Sequence, residues 1–427
     1  MTKENKIQSS NASLTMQIIS LICSEPYRVF FPLGVLMGIV GVSHWLFFGM
    51  GWIKSYSTHF HSSIQIQAYM SSFVIGFLLT AMPRFSQTET ASFKEFISFL
   101  ILILGIFGFQ VFGNVALANL CFVLLLLFLA RFAFIRFRKR KTLYPPIEFV
   151  WIPMAIFHGI LGALIIIGGQ LKWLSGESIG VGKLLAEQGF LLSIVIGVGG
   201  FLGPRLMGVY QLIRQSKISF KEQEFGISGP RIQTHLALGV LLFFSFWLEG
   251  FGYRTLGYGL RAFVVSSEFL WPGSITRLPR VPDFFARLLW ISFWMVTIGY
   301  WAVLLFPTFR VVMLHLVFIG GYSLMTFSVA TMVVLSHGGE ASRLHHPLLV
   351  LWIVAIGLLV AVVLRVASVF FPNFYFNVLA IASASWVVAG ISWLCFVAPR
   401  ILRVPHEGEF EKSHEKAMKR VLEDNKC

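Results

Sequence analysis

Two histidines stand at matching positions before long apolar stretches of this chain. His61 precedes Pro83 by 22 residues, and His315 precedes His337 by 22 residues. Arg365 lies in a third apolar stretch, where it is predicted to come near the same membrane surface. Two neutral imidazoles on facing helices can bind a haem iron from both sides, and an arginine can form paired hydrogen bonds with haem propionates. This pattern predicts His61 and His315 as axial ligands and Arg365 as the propionate partner.

The cysteines decide how such a haem is held. The chain has four of them, and none forms a CxxC pair or a CxxCH haem attachment motif. The predicted haem is therefore b-type, bound without a covalent link to the protein. No zinc or redox pair and no disulfide framework is predicted.

Each histidine also has a structural interpretation, which stays open at this point. His61 or His315, taken alone, is equally explained as a hydrated residue in the headgroup region. His44 suits a packed histidine bonded to a backbone carbonyl. His337 is followed by two glycines, and a helix C-terminus favours a protonated histidine electrostatically. The candidate metal ligands are His61, His315, His337 and His44, with hydration, packing and capping as their alternatives.

Composition places these residues in a membrane protein. Hydrophobic residues make up 56% of the 427 positions and charged residues only 12%, whereas a soluble domain carries about 25% charged residues. The net charge of +15 comes from basic residues in short runs between apolar stretches, as membrane topology requires. We therefore expect the lipid bilayer as the main partner and no nucleic acid.

Apolar segments of roughly 20 residues, the length that crosses a bilayer, predict an all-α protein of about twelve spans. The eighth span is the weakest, because it contains Arg261 and Glu268. The twelve predicted spans are 29–50, 64–83, 96–113, 116–135, 149–170, 184–207, 235–251, 255–271, 284–305, 312–336, 347–371 and 376–398.

Basic residues set the predicted orientation. Lys and Arg are concentrated in the loops after even-numbered spans, with five between Arg136 and Lys141. The positive-inside rule then places both termini in the cytoplasm of a bacterial inner membrane, and His61 and His315 at the outer face. Three segments follow: an N-terminal cytoplasmic or interfacial segment 1–28, a twelve-helix domain 29–398 and a polar cytoplasmic tail 399–427.

An internal repeat organises the spans. The sequence SFVIGFLLTAMPR from Ser72 to Arg84 returns 121 residues later as SIVIGVGGFLGPR, from Ser193 to Arg205. The two copies fall in spans 2 and 6, so the repeated unit is a block of four helices. Twelve spans make three such pseudo-repeated blocks, and span 10, with His315, is the third counterpart. This plan resembles the catalytic subunit of haem-copper oxidases, whose haem ligands come from the second and tenth helices.

Three motifs resemble the NnrS family. Pro26-Tyr27-Arg28 with Phe30-Phe31 precedes span 1, His61 precedes a helix that ends in GFLLTAMP, and His315 begins a helix that runs through GGYSLMTFSVATMVVLSHGG. The resemblance implies a bacterial inner-membrane protein of about twelve spans that contains haem and copper and is linked to denitrification and nitric oxide tolerance. Family members carry a motif similar to HxHEM before span 2. With His61 as its first histidine, the second histidine and the glutamate are absent here, so the resemblance implies haem more strongly than copper.

The sequence thus predicts a membrane haem protein of the nitric oxide response, with nitric oxide or another diatomic molecule as its ligand. Its task is sensing or protection from nitrosative stress, since neither an open metal position nor a proton route can be named for turnover. One alternative is a secondary transporter in which Arg261, Glu268 and Arg365 bind a small anion. Another is an assembly factor that delivers haem or copper to a respiratory oxidase.

Overall fold

The structure is a computed structural model that describes residues 15–141, 145–209, 229–271 and 273–403. These residues form helices and no strand. The twelve long helices are α1 Tyr27–Gly49, α2 Thr58–Ser86, α3 Phe93–Val111, α4 Val115–Arg138, α5 Ile147–Gln170, α6 Gly176–Leu206, α7 Gly229–Gly250, α8 Arg254–Leu270, α9 Phe284–Leu305, α10 Pro307–His337, α11 Leu349–Phe370 and α12 Pro372–Arg400.

This architecture confirms the prediction of an all-α polytopic membrane protein. Within the described residues, 11 helices are long and apolar enough to cross a membrane. The eighth predicted span is present as α8, a shorter helix of 17 residues that carries Arg261 and Glu268. A further short apolar helix, Thr15–Ser24, precedes α1. The segment boundaries at 28 and 398 stay predictions, and most of the predicted polar tail lies outside the described residues.

Three helices form the centre of the bundle. Consecutive helices pack side by side around the molecule, and α12 packs against α1 to close the ring. In α2, α6 and α10, 89%, 78% and 67% of the central residues are buried, against 28–56% in the other membrane-spanning helices. These are the second, sixth and tenth helices, the three that the repeat identified as counterparts. The second helix of each four-helix block therefore lies at the axis of the bundle.

The three inner helices also share a backbone irregularity. Each contains a π-helical segment near the same end, at Ile64–Met70, Leu184–Gly189 and Leu316–Ser323. The first two begin 120 residues apart, close to the spacing of the sequence repeat. The third begins directly after His315, just as the first begins shortly after His61. The two histidines therefore precede π-helical segments at corresponding positions. Such segments are rare and occur frequently at functional sites, so the irregularity supports span 10 as the third copy.

Glycines of α1 hold α2 close to the ring. A Cβ atom at Gly34 would lie 3.0 Å from the backbone oxygen of Tyr69, and one at Gly41 would lie 2.7 Å from the amide nitrogen of Gln65. Residues larger than glycine would push α1 and α2 apart at both levels. The close approach matters for function because Gly41 also presents its carbonyl group to His61.

An ion-pair network lies at the end of the bundle opposite His61, here called the arginine end because Arg84 and Arg205 end α2 and α6 there. Glu25, just before α1, contacts Arg28 at 2.6 Å, Arg84 at 2.8 Å and His337 at 3.2 Å. Arg28 in turn donates to the backbone carbonyl groups of residues 400, 401 and 403. One carboxylate therefore joins the start of α1, the ends of α2 and α10 and the residues that follow α12.

This network predicts a dependence of stability on acid pH. Burial alone would raise the pKa of Glu25, but the hydrogen bonds and charges of His337 and Arg28 outweigh it and lower the pKa from 4.5 to about 2. A carboxyl group with a lower pKa in the folded state stabilises the fold fully above pH 4.5 and loses this effect as the pH falls towards 2. The shift corresponds to about 3 kcal/mol.

The change Glu25→Gln tests this dependence in detergent. We expect the thermal unfolding midpoint of the variant to lie well below that of the wild type at pH 6, and the difference to shrink as the pH is lowered from 4.5 to 2. Glu89→Gln, an exposed position on the same end of the bundle, serves as the control and should follow the wild type. A pH-independent gap between Glu25→Gln and the wild type would show that the carboxylate does not titrate as described.

Candidate functional site

The structure brings the two predicted haem ligands together. His61 lies in the first turns of α2, and His315 lies in α10 directly before its π-helical segment. Their ring centroids are 6.5 Å apart and their planes differ by only 9°. Side chains separated by 254 positions in the chain thus face each other across the bundle axis, at the end that we call the histidine end.

Backbone carbonyl groups orient both rings through the same atom. Nδ1 of His61 lies 3.0 Å from the carbonyl oxygen of Gly41, and Nδ1 of His315 lies 2.7 Å from that of Val311. A carbonyl oxygen only accepts, so each Nδ1 carries the proton and each Nε2 is left as a lone-pair donor. This is the arrangement that outer-shell partners impose on metal-binding histidines. Hydration of the two rings in the headgroup region would not require it.

Arg365 of α11 lies beside this pair. Its charge acts electrostatically on both His61 and His315. The guanidinium donates to the hydroxyl of Ser368 at 3.1 Å and lies 5.9 Å from the centre of the Tyr375 ring. Within the described residues no carboxylate forms an ion pair with it. An arginine without a carboxylate inside a membrane protein retains its capacity to pair with an anionic group.

The other two candidate ligands are placed differently. Nε2 of His44 accepts a hydrogen bond from the backbone N–H of Ser57 at 2.6 Å, near the His61 pair but with its lone pair in use. His337 belongs to the Glu25 network at the arginine end, roughly 30 Å from His315 along the helix by its rise per residue. The structure therefore unites His61, His315 and Arg365 and separates His337 from them.

Two further residues of the histidine end did not follow from the sequence. Nε2 of His59 is buried and has no hydrogen-bond partner, although its position suggested only a loop residue. Glu187 of α6 accepts a hydrogen bond from the Ser62 hydroxyl at 2.8 Å, which places a carboxylate of the second block beside the first. In the sequence, His59 is marked only by its spacing of two residues from His61. The contact of Glu187 with Ser62 joins two distant segments, so the neighbouring residues of Glu187 do not predict it.

Charged residues of the middle block find partners on neighbouring helices, as expected for Arg261 and Glu268. Arg261 contacts Glu249 at 2.7 Å. The same carboxylate contacts Arg310 at 2.7 Å. Glu268 lies 2.8 Å from Nδ1 of His235. Both His235 and Glu268 are buried, so this pair lies inside the protein.

Comparison with known protein families now bears on this geometry. The family model described as NnrS protein matches residues 21–404, which is nearly the whole chain. The chain belongs to the NnrS family. No curated protein matches the sequence. For this NnrS chain, the matched range contains all twelve helices together with His61, His315 and Arg365.

The sequence allows a second placement of the motif similar to HxHEM on this NnrS chain. If His59 is taken as the first histidine, His61 becomes the second, and both histidines are present. Ser62 then stands where the glutamate is expected, and its hydroxyl donates to Glu187. The placement with His61 first stays a prediction, and the placement with His59 first differs from it in having both histidines. The carboxylate near this position comes from α6 and not from the motif itself.

Proposed function

We propose that this NnrS chain is a b-type haem protein of a bacterial inner membrane that takes part in the response to nitric oxide. The observation that carries the proposal is the parallel pair of His61 and His315, with ring centroids 6.5 Å apart. The histidine end faces outward in this proposal, and both termini lie in the cytoplasm. Family membership supports the link to nitric oxide.

The residues present fit a haem. Both imidazoles have Nδ1 bonded to a carbonyl group, which leaves two Nε2 atoms as iron donors on opposite helices. Among the described residues Arg365 forms no ion pair with a carboxylate, and its charge reaches both rings, so it would bind a propionate. His61 and His315 would hold the iron, and Gly41 and Val311 would hold the ligands in position.

The two-histidine arrangement limits the chemistry. A haem held by His61 and His315 would supply single-electron exchange, and it would offer a position for nitric oxide only if one of the two imidazoles left. The site therefore favours sensing or electron transfer over turnover of a substrate.

A copper centre does not fit the described residues in the same way. They contain no group of three or more His, Cys, Asp or Glu side chains that could hold a metal ion. His59 and Glu187 supply two donors at most, and the Nε2 lone pair of His44 is occupied by Ser57. Copper selects imidazole-rich sets, so no step of the proposal depends on it.

The alternatives have less support. In the transporter hypothesis Arg261, Glu268 and Arg365 bind a small anion, but Arg261 and Glu268 are paired with Glu249 and His235. Only Arg365 is left for such a role. The inner helices have π-helical segments and not the unwound breaks that transporters place at mid-membrane. No observation on the described residues favours an assembly factor.

Growth of bacteria under nitric oxide tests the proposed function. A strain that lacks this chain should recover from a nitric oxide pulse more slowly than the wild type if haem at this site is required. The wild-type gene should restore recovery, and the double variant His61→Ala, His315→Ala should not, although it reaches the same membrane level. Full recovery with the double variant would contradict the proposal.

A further inference from the structure

A partly open apolar cavity lies between the inner helices, towards the middle of the bundle from the histidine pair. Its volume is about 120 Å³, and α2, α6, α9 and α10 provide nearly all of its wall. Met70 lines it nine positions after His61 and Tyr322 lines it seven positions after His315, which is roughly 10 to 13 Å along the helices at 1.5 Å per residue. The cavity and the histidine pair therefore share the same two helices.

The cavity lies where the copies of the repeat differ. At the repeat spacing of 121 residues, Val195 of α6 replaces Val74 of α2, while Val198 replaces Phe77 and Gly199 replaces Leu78. All six residues line the cavity. Where α2 has the large side chains of Phe77 and Leu78, α6 has the smaller side chain of Val198 and, at Gly199, no side chain. The second block leaves space on the bundle axis that the first block fills.

Gly199 and Gly203 of α6 are in close contact with a neighbouring helix. A Cβ atom at Gly199 would lie 3.0 Å from the ring of Phe293, and one at Gly203 would lie 2.8 Å from it. Phe293 of α9 therefore packs directly on the α6 backbone and forms part of the wall. The cavity is built by tight packing around it and is not a region where the helices fail to meet.

The wall is unsuited to water and suited to apolar molecules. It consists almost entirely of aliphatic and aromatic groups, and of its hydroxyls Thr326 donates to the sulfur of Met70 at 3.7 Å. A water molecule needs two to four polar partners, whereas an apolar cavity of about 150 Å³ stays dry and binds xenon or benzene. The volume here is slightly smaller, so it has the capacity for one small apolar molecule of the size of xenon.

We propose that this cavity is a binding site for small apolar gas molecules, the class that includes nitric oxide and dioxygen. It holds them in the low-dielectric centre of the bundle, within about two helical turns of the histidine pair. The choice of nitric oxide as the natural occupant rests on the proposed function. Binding of an inert gas of similar size to the cavity does not rest on the proposed function.

Xenon binding to the purified full-length protein in nanodiscs tests the site without reference to haem. We expect a saturable bound signal in xenon-129 exchange spectra of the wild type. Val198→Phe, which gives α6 the residue that α2 has at the equivalent position, should lower xenon occupancy by roughly tenfold because it fills the volume. Val388→Phe makes the same change at an exposed position of α12 and should leave the signal unchanged.

Val329→Phe, from the α10 wall of the cavity, is the second filling variant if Val198→Phe does not fold, as judged by its thermal unfolding midpoint. No saturable xenon signal in the wild type would overturn the proposal, including the case in which a lipid chain fills the space. So would an unchanged signal in a folded filling variant.

Recombination of nitric oxide after a laser flash separates this inference from the proposed function. Val198→Phe should slow recombination in the ferrous protein severalfold at unchanged haem content, because fewer molecules are held nearby. Xenon binding in a protein that takes up no haem would refute the proposed function and leave the gas site standing. Haem and nitric oxide binding without a xenon site would refute the gas site alone.

Discussion

Replacement of either His61 or His315 is expected to remove the proposed haem from this protein. His61→Ala and His315→Ala each leave one imidazole where the structure provides two on facing helices. Loss of an outer-shell partner costs about 10–100-fold in metal affinity, so loss of a ligand itself should cost at least as much. The visible absorption band of haem, measured per milligram of purified protein, should fall at least about tenfold in each variant.

The controls separate loss of a ligand from loss of the fold. His346→Ala changes an exposed histidine outside the helices and should keep the full haem content. Free imidazole added during expression should restore part of the band in His315→Ala by occupying the vacated space. If both alanine variants kept the wild-type band, the parallel pair would not be the haem site. If only one did, the haem would have a single protein ligand there.

Removal of the Glu249 carboxylate is expected to destabilise the middle block strongly. Glu249 bridges Arg261 and Arg310, with both contacts at 2.7 Å. Only 1% of the Arg261 side chain is exposed, so Glu249→Ala would leave a buried guanidinium without a counter-charge. Breaking a buried ion pair in this way costs about 3–5 kcal/mol. Gln188, which accepts from Arg261 at 3.1 Å, cannot replace the lost charge.

The thermal unfolding midpoint in detergent measures this effect. Glu177→Ala removes an exposed carboxylate from the same end of the bundle and is the matched control, with little expected change. Glu249→Gln should fall between the wild type and Glu249→Ala, because it keeps hydrogen-bond acceptance without charge. Equal midpoints for Glu249→Ala and Glu177→Ala would mean that Arg261 is solvated in the native protein.

Much of the fold and part of the site follow from the sequence. Apolar length predicts the helices, and the repeated phrase that ends at Arg84 and Arg205 predicts which helices are counterparts. Equal spacing from His61 to Pro83 and from His315 to His337 places the two histidines at one depth. These inferences succeed because helix length and register are properties of a single segment.

Other features depend on contacts between segments. The carboxylate of Glu187 beside Ser62 and the pairing of Glu249 with Arg261 require helices to meet at particular levels. The cavity cannot be predicted from the small side chains of α6 or from Phe293 alone. Its volume depends on how the four helices α2, α6, α9 and α10 pack against one another. His59 lies in the first helical turn of α2, and its position there does not follow from the length of the apolar segment.

Electron paramagnetic resonance of the oxidised wild-type protein tests the central claim most directly. The signal of low-spin ferric haem depends on the angle between the planes of its two axial imidazoles, which is 9° between the rings of His61 and His315. We predict one haem per chain with the rhombic low-spin signal of near-parallel imidazoles. A folded protein without a haem signal, or one with the high-spin signal of a single axial ligand, would contradict the account.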